Sequence, residues 1–201
     1  MTAPQLASTP VRRGLSSLRS SVLMATLRII VVYMAALLLQ LTIFVDVRVV
    51  GVAPELPALI AVLAGLLVGA QAGSFIAFGA GLMWDVYLPT PLGLAAVSFA
   101  LVAFGLGSIT EELFHDTRIQ TGLLVFAGTA ASVAVYAVLG EVVGQRGLVD
   151  DDLLKIVLVS SAFNALLSLV VAPAMRWAAW GGRSRDPSAD SPRAEARIGR
   201  R

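Results

Sequence analysis

Hydrophobic residues occupy this chain in long runs, not in the alternation of a half-buried strand or the one-sided stripe of a surface helix. Four runs, about 24–45, 92–110, 119–143 and 154–177, are apolar along their length. Each supplies the roughly 20 residues that an α-helix needs to cross a hydrocarbon layer about 30 Å thick. A fifth run, 49–88, is apolar apart from Glu55, Gln71 and Asp85. As one helix it would reach about 60 Å, twice that thickness, so it is read as two helices. The break is expected near Gln71-Ala72-Gly73, with Pro54 and Pro57 tolerated in the first turn of the earlier helix.

Polar residues punctuate these runs. Asp150, Asp151 and Asp152 precede the last one, where carboxylates suit the positive end of a helix dipole. Arg176, Trp177 and Trp180 close it, with the indoles at interface depth. The first run follows Arg12, Arg13 and Arg19 and extends from Val22 to about Val45, broken only by Arg28. A signal-peptide core is about 7–15 residues long and ends in small residues, so this segment reads as a first membrane span.

Charge then decides the number of crossings. Four of the fifteen basic residues lie at or before Arg28 and seven lie from Arg176 onward, leaving only Arg48, Arg118, Arg146 and Lys155 between. Cytoplasmic tails and short loops collect Lys and Arg. Two arginine-rich tails on one side require an even number of spans, and six fits where five does not. The outer loops are then about 46–53, 85–91 and 144–153, and the inner ones lie near 71–73 and 111–118. The expected organisation is a basic cytoplasmic tail over 1–21, a transmembrane bundle over 22–180 and an arginine-rich, disordered cytoplasmic tail over 181–201.

Composition agrees with an all-α, polytopic membrane protein. The chain is 57% hydrophobic and 14% charged, against about a quarter charged in soluble domains. Its mean hydropathy is +0.84. The basic balance belongs to the tails and points to anionic headgroups and orientation, not to nucleic acid. There is no cysteine, hence no disulfide framework and no thiolate chemistry.

Few residues suggest catalysis. Glu111-Glu112-Leu113-Phe114-His115-Asp116-Thr117-Arg118 is the one dense polar cluster. Glu112 and His115 have the i, i+3 spacing of a di-iron half-site, but His115 is the only histidine, so a second half is missing. The cluster is also similar to the Glu-Glu-x-x-x-Arg motif of intramembrane proteases, but Arg118 lies too far along the chain to match it. It reads as a solvated turn. No Gly-x-Ser-x-Gly elbow and no phosphate-binding Gly-x-x-x-x-Gly-Lys occurs. No catalytic residue, metal site or cofactor is expected.

Packing signals are clearer. Gly65, Gly69 and Gly73 recur every four residues, continued by Ala77 and Gly81, a small-residue face that lets helices approach closely. Gly105 and Gly128 are weaker instances. Gln40 and Asn164 stand inside the first and last spans and are expected to hydrogen-bond within the bundle. Asp85 ends the third span beside Trp84 and Tyr87, at an interface depth where a charge is tolerated.

In order along the chain, Leu39-Gln40, Pro57, Gly69, Gly73, Phe78, Gly81-Leu82, Asp85 and Pro91-Leu92-Gly93 together resemble the MreD family of bacterial rod-shape-determining membrane proteins. The family's Gly-Phe pair is Ala77-Phe78 here. The resemblance covers roughly residues 30–110. It implies a non-enzymatic scaffold of the cell-elongation complex in the bacterial cytoplasmic membrane. Its implied partners are an MreC-like protein, actin-like MreB, a RodA-type glycosyltransferase and its penicillin-binding transpeptidase. It also implies a six-helix fold similar to the substrate-binding subunits of energy-coupling-factor vitamin transporters. A small-molecule-binding transport subunit is therefore the alternative, and it would need a roomy pocket with convergent polar groups. For Asp85, Gly81, Gly73, Gly69, Gln40 and Asn164 the expected roles are packing or partner contact, with Asp85 on the partner surface.

Overall fold

The structure is a computed structural model, which describes residues 10–181 apart from 45, 49–50, 114–116, 146 and 150, and not the side chains of 10–22 and 111–113. The described residues form six helices: α1 (Pro10–Thr42), α2 (Leu56–Val68), α3 (Ala70–Asp85), α4 (Leu94–Leu113), α5 (Arg118–Val142) and α6 (Leu153–Trp180). The four long apolar runs thus become α1, α4, α5 and α6, with ends displaced by up to three residues. The exception is the start of α1, which extends back to Pro10 into the stretch expected to be a tail.

Among the described residues three helical segments are long and apolar enough to cross a membrane: Leu23–Thr42 of α1, Arg118–Val142 and Leu153–Trp180. Leu56–Val68 and Leu94–Thr110 are apolar but shorter.

The division of 49–88 falls at Gly69, earlier than the expected 71–73. Gly69 has φ +95°, a left-handed conformation open to glycine and costly for other residues. It is the single residue between α2 and α3, and a hairpin follows. Gly73 lies against the backbone of Ala64 and Gly65, so a Cβ there would stand 2.5 Å from the Ala64 carbonyl oxygen. Gly81 meets Ala96 and Gly107 meets Ala70 in the same way, which sets α3 antiparallel to α4. Thr129 with Asn164 and Thr121 with Arg176 set α5 antiparallel to α6. The small-residue face therefore joins α2, α3 and α4 to one another. Gly105 has open space around it and takes no part, while the nearest atoms to a Cβ on Gly128 belong to the side chains of Leu106 and Val62.

α2 occupies the centre. All of its residues except Val68 are buried, which suits a helix that is hydrophobic on every side. Its 13 residues reach only about 20 Å. Such a short helix fits a membrane protein when other helices, and not lipid, surround it. Around it, Ile29, Tyr33 and Leu37 of α1, Val102 of α4, Val125 of α5 and Met175 of α6 complete the main core. Large apolar side chains such as Phe75, Ile119, Val142 and Val170 face outward, more than 70% exposed, a surface chemically suited to hydrocarbon.

Asp152 begins α6 but its carboxylate makes no capping bond; it pairs with Lys155 at 3.8 Å instead. Asp150 lies outside the described residues. At the other end of α6, Arg28 stacks over the Trp177 ring at 5.3 Å, joining α1 to α6.

Candidate functional site

The helix ends that carry polar chemistry gather at one end of the bundle, where α1, α3 and α5 finish and α2, α4 and α6 begin. The first four N–H groups of any helix lack partners within it. At the start of α4 they are met from outside. The chain leaves α3 at Asp85, turns through Gly93 with φ +100°, and brings the start of α4 back over the Asp85 carboxylate. Asp85 Oδ2 accepts from Gly93 N at 2.9 Å and Ala96 N at 3.1 Å, and Oδ1 accepts from Ala95 N at 2.9 Å. The residue is 1% exposed. It was expected to present its charge to a partner; in this arrangement its oxygens are occupied within the chain, and a partner would have to displace those bonds. The negative charge also faces the positive end of the α4 dipole.

The start of α2 is held by two side-chain amides. Gln40 Nε2 donates to the Pro54 carbonyl at 2.9 Å, and its Oε1 accepts from Leu56 N at 3.0 Å. Asn164 Nδ2 donates to the Glu55 carbonyl at 3.0 Å and to Thr129 Oγ1 at 3.4 Å, while its Oδ1 accepts from Glu55 N at 3.3 Å. Each amide thus matches a donor and an acceptor of the 54–56 backbone. Non-helical backbone at membrane depth is tolerated only where protein satisfies its polar groups. Gln40 and Asn164 do so here.

That clamp fixes the depth of Glu55. Asn164 lies eleven residues into α6, about 16 Å from its start, and Thr129 lies thirteen residues before the end of α5, about 20 Å. The walls formed by α5 and α6 therefore rise well beyond Glu55, and the space between them is a cavity of about 310 Å³. Its wall includes Glu55, Trp84, Phe99, Ser132, Tyr136 and Ser160. Tyr136 Oη and Thr90 Oγ1 lie 2.8 Å apart at one side. Leu148 also lines the cavity, in a loop held by Glu141, whose Oε1 accepts from the N–H groups of Gly147, Leu148 and Val149.

Several hydroxyls in these helices bond back to the preceding turn, as Ser98 does to Leu94 O at 2.7 Å and Thr110 to Leu106 O at 2.7 Å. Ser132 and Ser160 in this wall, and Ser161, which does not line it, are buried, and their Oγ atoms have no partner among the described residues.

The sequence drew attention to Asp85, Gln40 and Asn164 but not to Glu55, Ser132 or Ser160. Glu55 was visible as a single carboxylate within a long apolar run, and an ionisable residue at membrane depth is a functional candidate by default. The two serines carry no signal of their own, because what distinguishes them is a missing bond. Of the Glu111–Arg118 cluster, residues 114–116 and the side chains of 111–113 lie outside the described residues. Thr117 caps α5, its Oγ1 accepting from Gln120 N at 3.3 Å. Among the described residues no group of His, Cys, Asp and Glu is placed to hold a metal.

Comparison with known proteins gives one match. The family model described as "rod shape-determining protein MreD" matches residues 20–177, which spans α1 to α6. No curated protein and no solved structure matches.

Proposed function

Because the chain belongs to the MreD family of rod shape-determining proteins, we propose that it is a non-enzymatic membrane scaffold of the cell-elongation complex. The observation that carries this reading is the extent of the family match, which takes in the whole helical bundle and not one motif. The scaffold joins an MreC-like protein and a RodA-type glycosyltransferase with its penicillin-binding transpeptidase, in register with MreB-like filaments on the cytoplasmic side. Its chemistry suits that role. The Asp85 carboxylate and the Gln40 and Asn164 amides are spent on bonds within the bundle, and the exterior is apolar and broad enough for other transmembrane helices.

The proposed topology has six spans in the bacterial cytoplasmic membrane, with both tails cytoplasmic and the bundle over 22–180. The arginine-rich ends support it. So does the antiparallel pairing of α3 with α4 and of α5 with α6. Reporter fusions at Asp46, Tyr87 and Asp150 then read as external, and those at residue 115 and the C-terminus as internal. An external C-terminus refutes the six-span arrangement.

The functional test is affinity capture of the tagged chain from rod-shaped cells, with cell shape scored in a deletion strain. An MreC-like protein is expected among the captured partners, and the chain is expected to restore rod shape. Recovery of no cell-wall component, together with normal shape in the deletion strain, overturns the scaffold reading. A second reading, a substrate-binding transport subunit, is favoured by the cavity beside Glu55. It predicts co-purification with an ATP-binding subunit instead.

A further inference from the structure

We propose that the cavity between α5, α6 and the start of α2 is a binding site for a small amphiphilic cation, an apolar body carrying an ammonium group. Three independent features converge on it. Glu55 supplies a carboxylate, and among the described lining residues there is no Lys, Arg or His beside it. The rest of the wall is apolar or aromatic, including Leu88, Phe99, Leu153 and Ile156, with Trp84 and Tyr136 near the carboxylate. Ser132 and Ser160, 1% and 3% exposed, line the same space with hydroxyls that have no partner.

Each feature selects a part of the ligand. A carboxylate in a low-dielectric wall favours an opposite charge and disfavours a neutral or anionic group. Aromatic faces add attraction for a cation, strongest with tryptophan. A buried hydroxyl without a partner is costly, and a hydrogen-bonding ligand or its water relieves that cost. The apolar lining takes a hydrocarbon or aromatic body, and about 310 Å³ lies at the lower end of small-molecule sites. The site is also preorganised. Asn164 and Gln40 fix the backbone that carries Glu55, and Glu141 fixes the loop that carries Leu148. Binding therefore requires little ordering of the protein.

This inference holds whether the chain is a scaffold that senses a ligand or a transport subunit, because it concerns the cavity and not the partners. Two sources share the chemistry: a free amine and the ammonium of an aminophospholipid headgroup.

The test uses the purified full chain in detergent and equilibrium dialysis with hexylammonium, hexanol serving as the uncharged control. Saturable binding of one hexylammonium per chain is expected, with hexanol at least tenfold weaker. Glu55→Gln keeps the size of the side chain and removes its charge, so it should weaken hexylammonium at least tenfold and leave hexanol unchanged. Hexanol binding as tightly as hexylammonium overturns the proposal, as does the absence of saturable binding; neither comparison depends on a variant. An unchanged affinity in a folded Glu55→Gln protein overturns it too. In lipid nanodiscs, weaker hexylammonium binding with phosphatidylethanolamine than with phosphatidylglycerol alone supports the proposal with the headgroup as occupant. Equal binding in both supports it with a free amine.

Discussion

Replacing Asp85 should destabilise the bundle before it affects any partner. The carboxylate accepts three backbone N–H groups at the start of α4 and is 1% exposed. In Asp85→Asn one oxygen remains. Placed where Oδ2 stands, it keeps the Gly93 and Ala96 bonds and turns an amide NH₂ toward the N–H of Ala95, so one bond to a charged acceptor is lost and two donors face each other. A bond of that kind contributes about 1.5–3 kcal/mol, and the lost charge–dipole attraction about 0.3–1 kcal/mol. The expected cost is about 2–4 kcal/mol. At about 2–4 °C per kcal/mol for a chain of this length, the melting temperature should fall by about 5–15 °C. Asp85→Ala removes all three bonds and should fall further. The assay is thermal unfolding of detergent-solubilised protein, followed by monodisperse recovery on size exclusion. Melting temperatures for both variants within 2 °C of the parent, roughly the resolution of the assay, would refute the capping argument. If Asp85→Asn melts like the parent yet loses capture of an MreC-like protein, the carboxylate belongs to a partner surface after all.

Two other substitutions examine the packing and the clamp. Gly81→Ala puts a methyl group 2.5 Å from the Cα of Ala96, where backbone cannot yield, and should cost about 1–3 kcal/mol in the same melting assay. Gly79→Ala, two residues away with open space around it, should melt at or above the parent because alanine favours a helix interior by about 1 kcal/mol; equal melting of the two variants would sink the close-approach argument. Asn164→Leu leaves the Glu55 N–H without its partner, while the Glu55 carbonyl loses one donor and keeps Leu59 N at 3.1 Å, and it should cost about 1–3 kcal/mol. A stable Asn164→Leu protein with unchanged hydrogen-exchange protection at Glu55 and Leu56 would show that the clamp is dispensable.

Much of the fold was legible because hydrophobic run length carries it. The four long helices follow from apolar runs of about 20 residues or more, and the division of 49–88 follows from a length that one helix would overshoot. The position of that division was harder. Gly69 and Gly73 offer the same freedom on paper, and polar Gln71 drew the break toward 71–73. The structure uses them differently: Gly69 takes the left-handed turn, while Gly73 gives up its side-chain volume so that α3 can lie against α2. Sequence patterning does not separate a glycine needed for conformation from one needed for contact. Asp85 shows the same limit. Its place after Trp84 reads as an interface charge, and only the return of the chain through Gly93 reveals which N–H groups it meets.

The candidate site was illegible for a different reason, which lies in α2. A helix of 13 residues cannot cross a hydrocarbon layer alone, so the segment before it must descend into the bundle to meet its start. That descent carries Glu55 to the level of Asn164 and Thr129, about 16–20 Å from the ends of α6 and α5. A reading based on spans places residue 55 near the membrane surface, where a glutamate is unremarked. The same carboxylate at depth is costly, and its retention there calls for a reason. The bundle needs none of it, since Gln40 and Asn164 hold the backbone of residues 54–56 and not the Glu55 carboxylate. A glutamine at position 55 would keep every backbone bond of the clamp and avoid the cost of burying a charge. The charge of Glu55 is therefore separable from the architecture, and what it answers to lies in the cavity it faces.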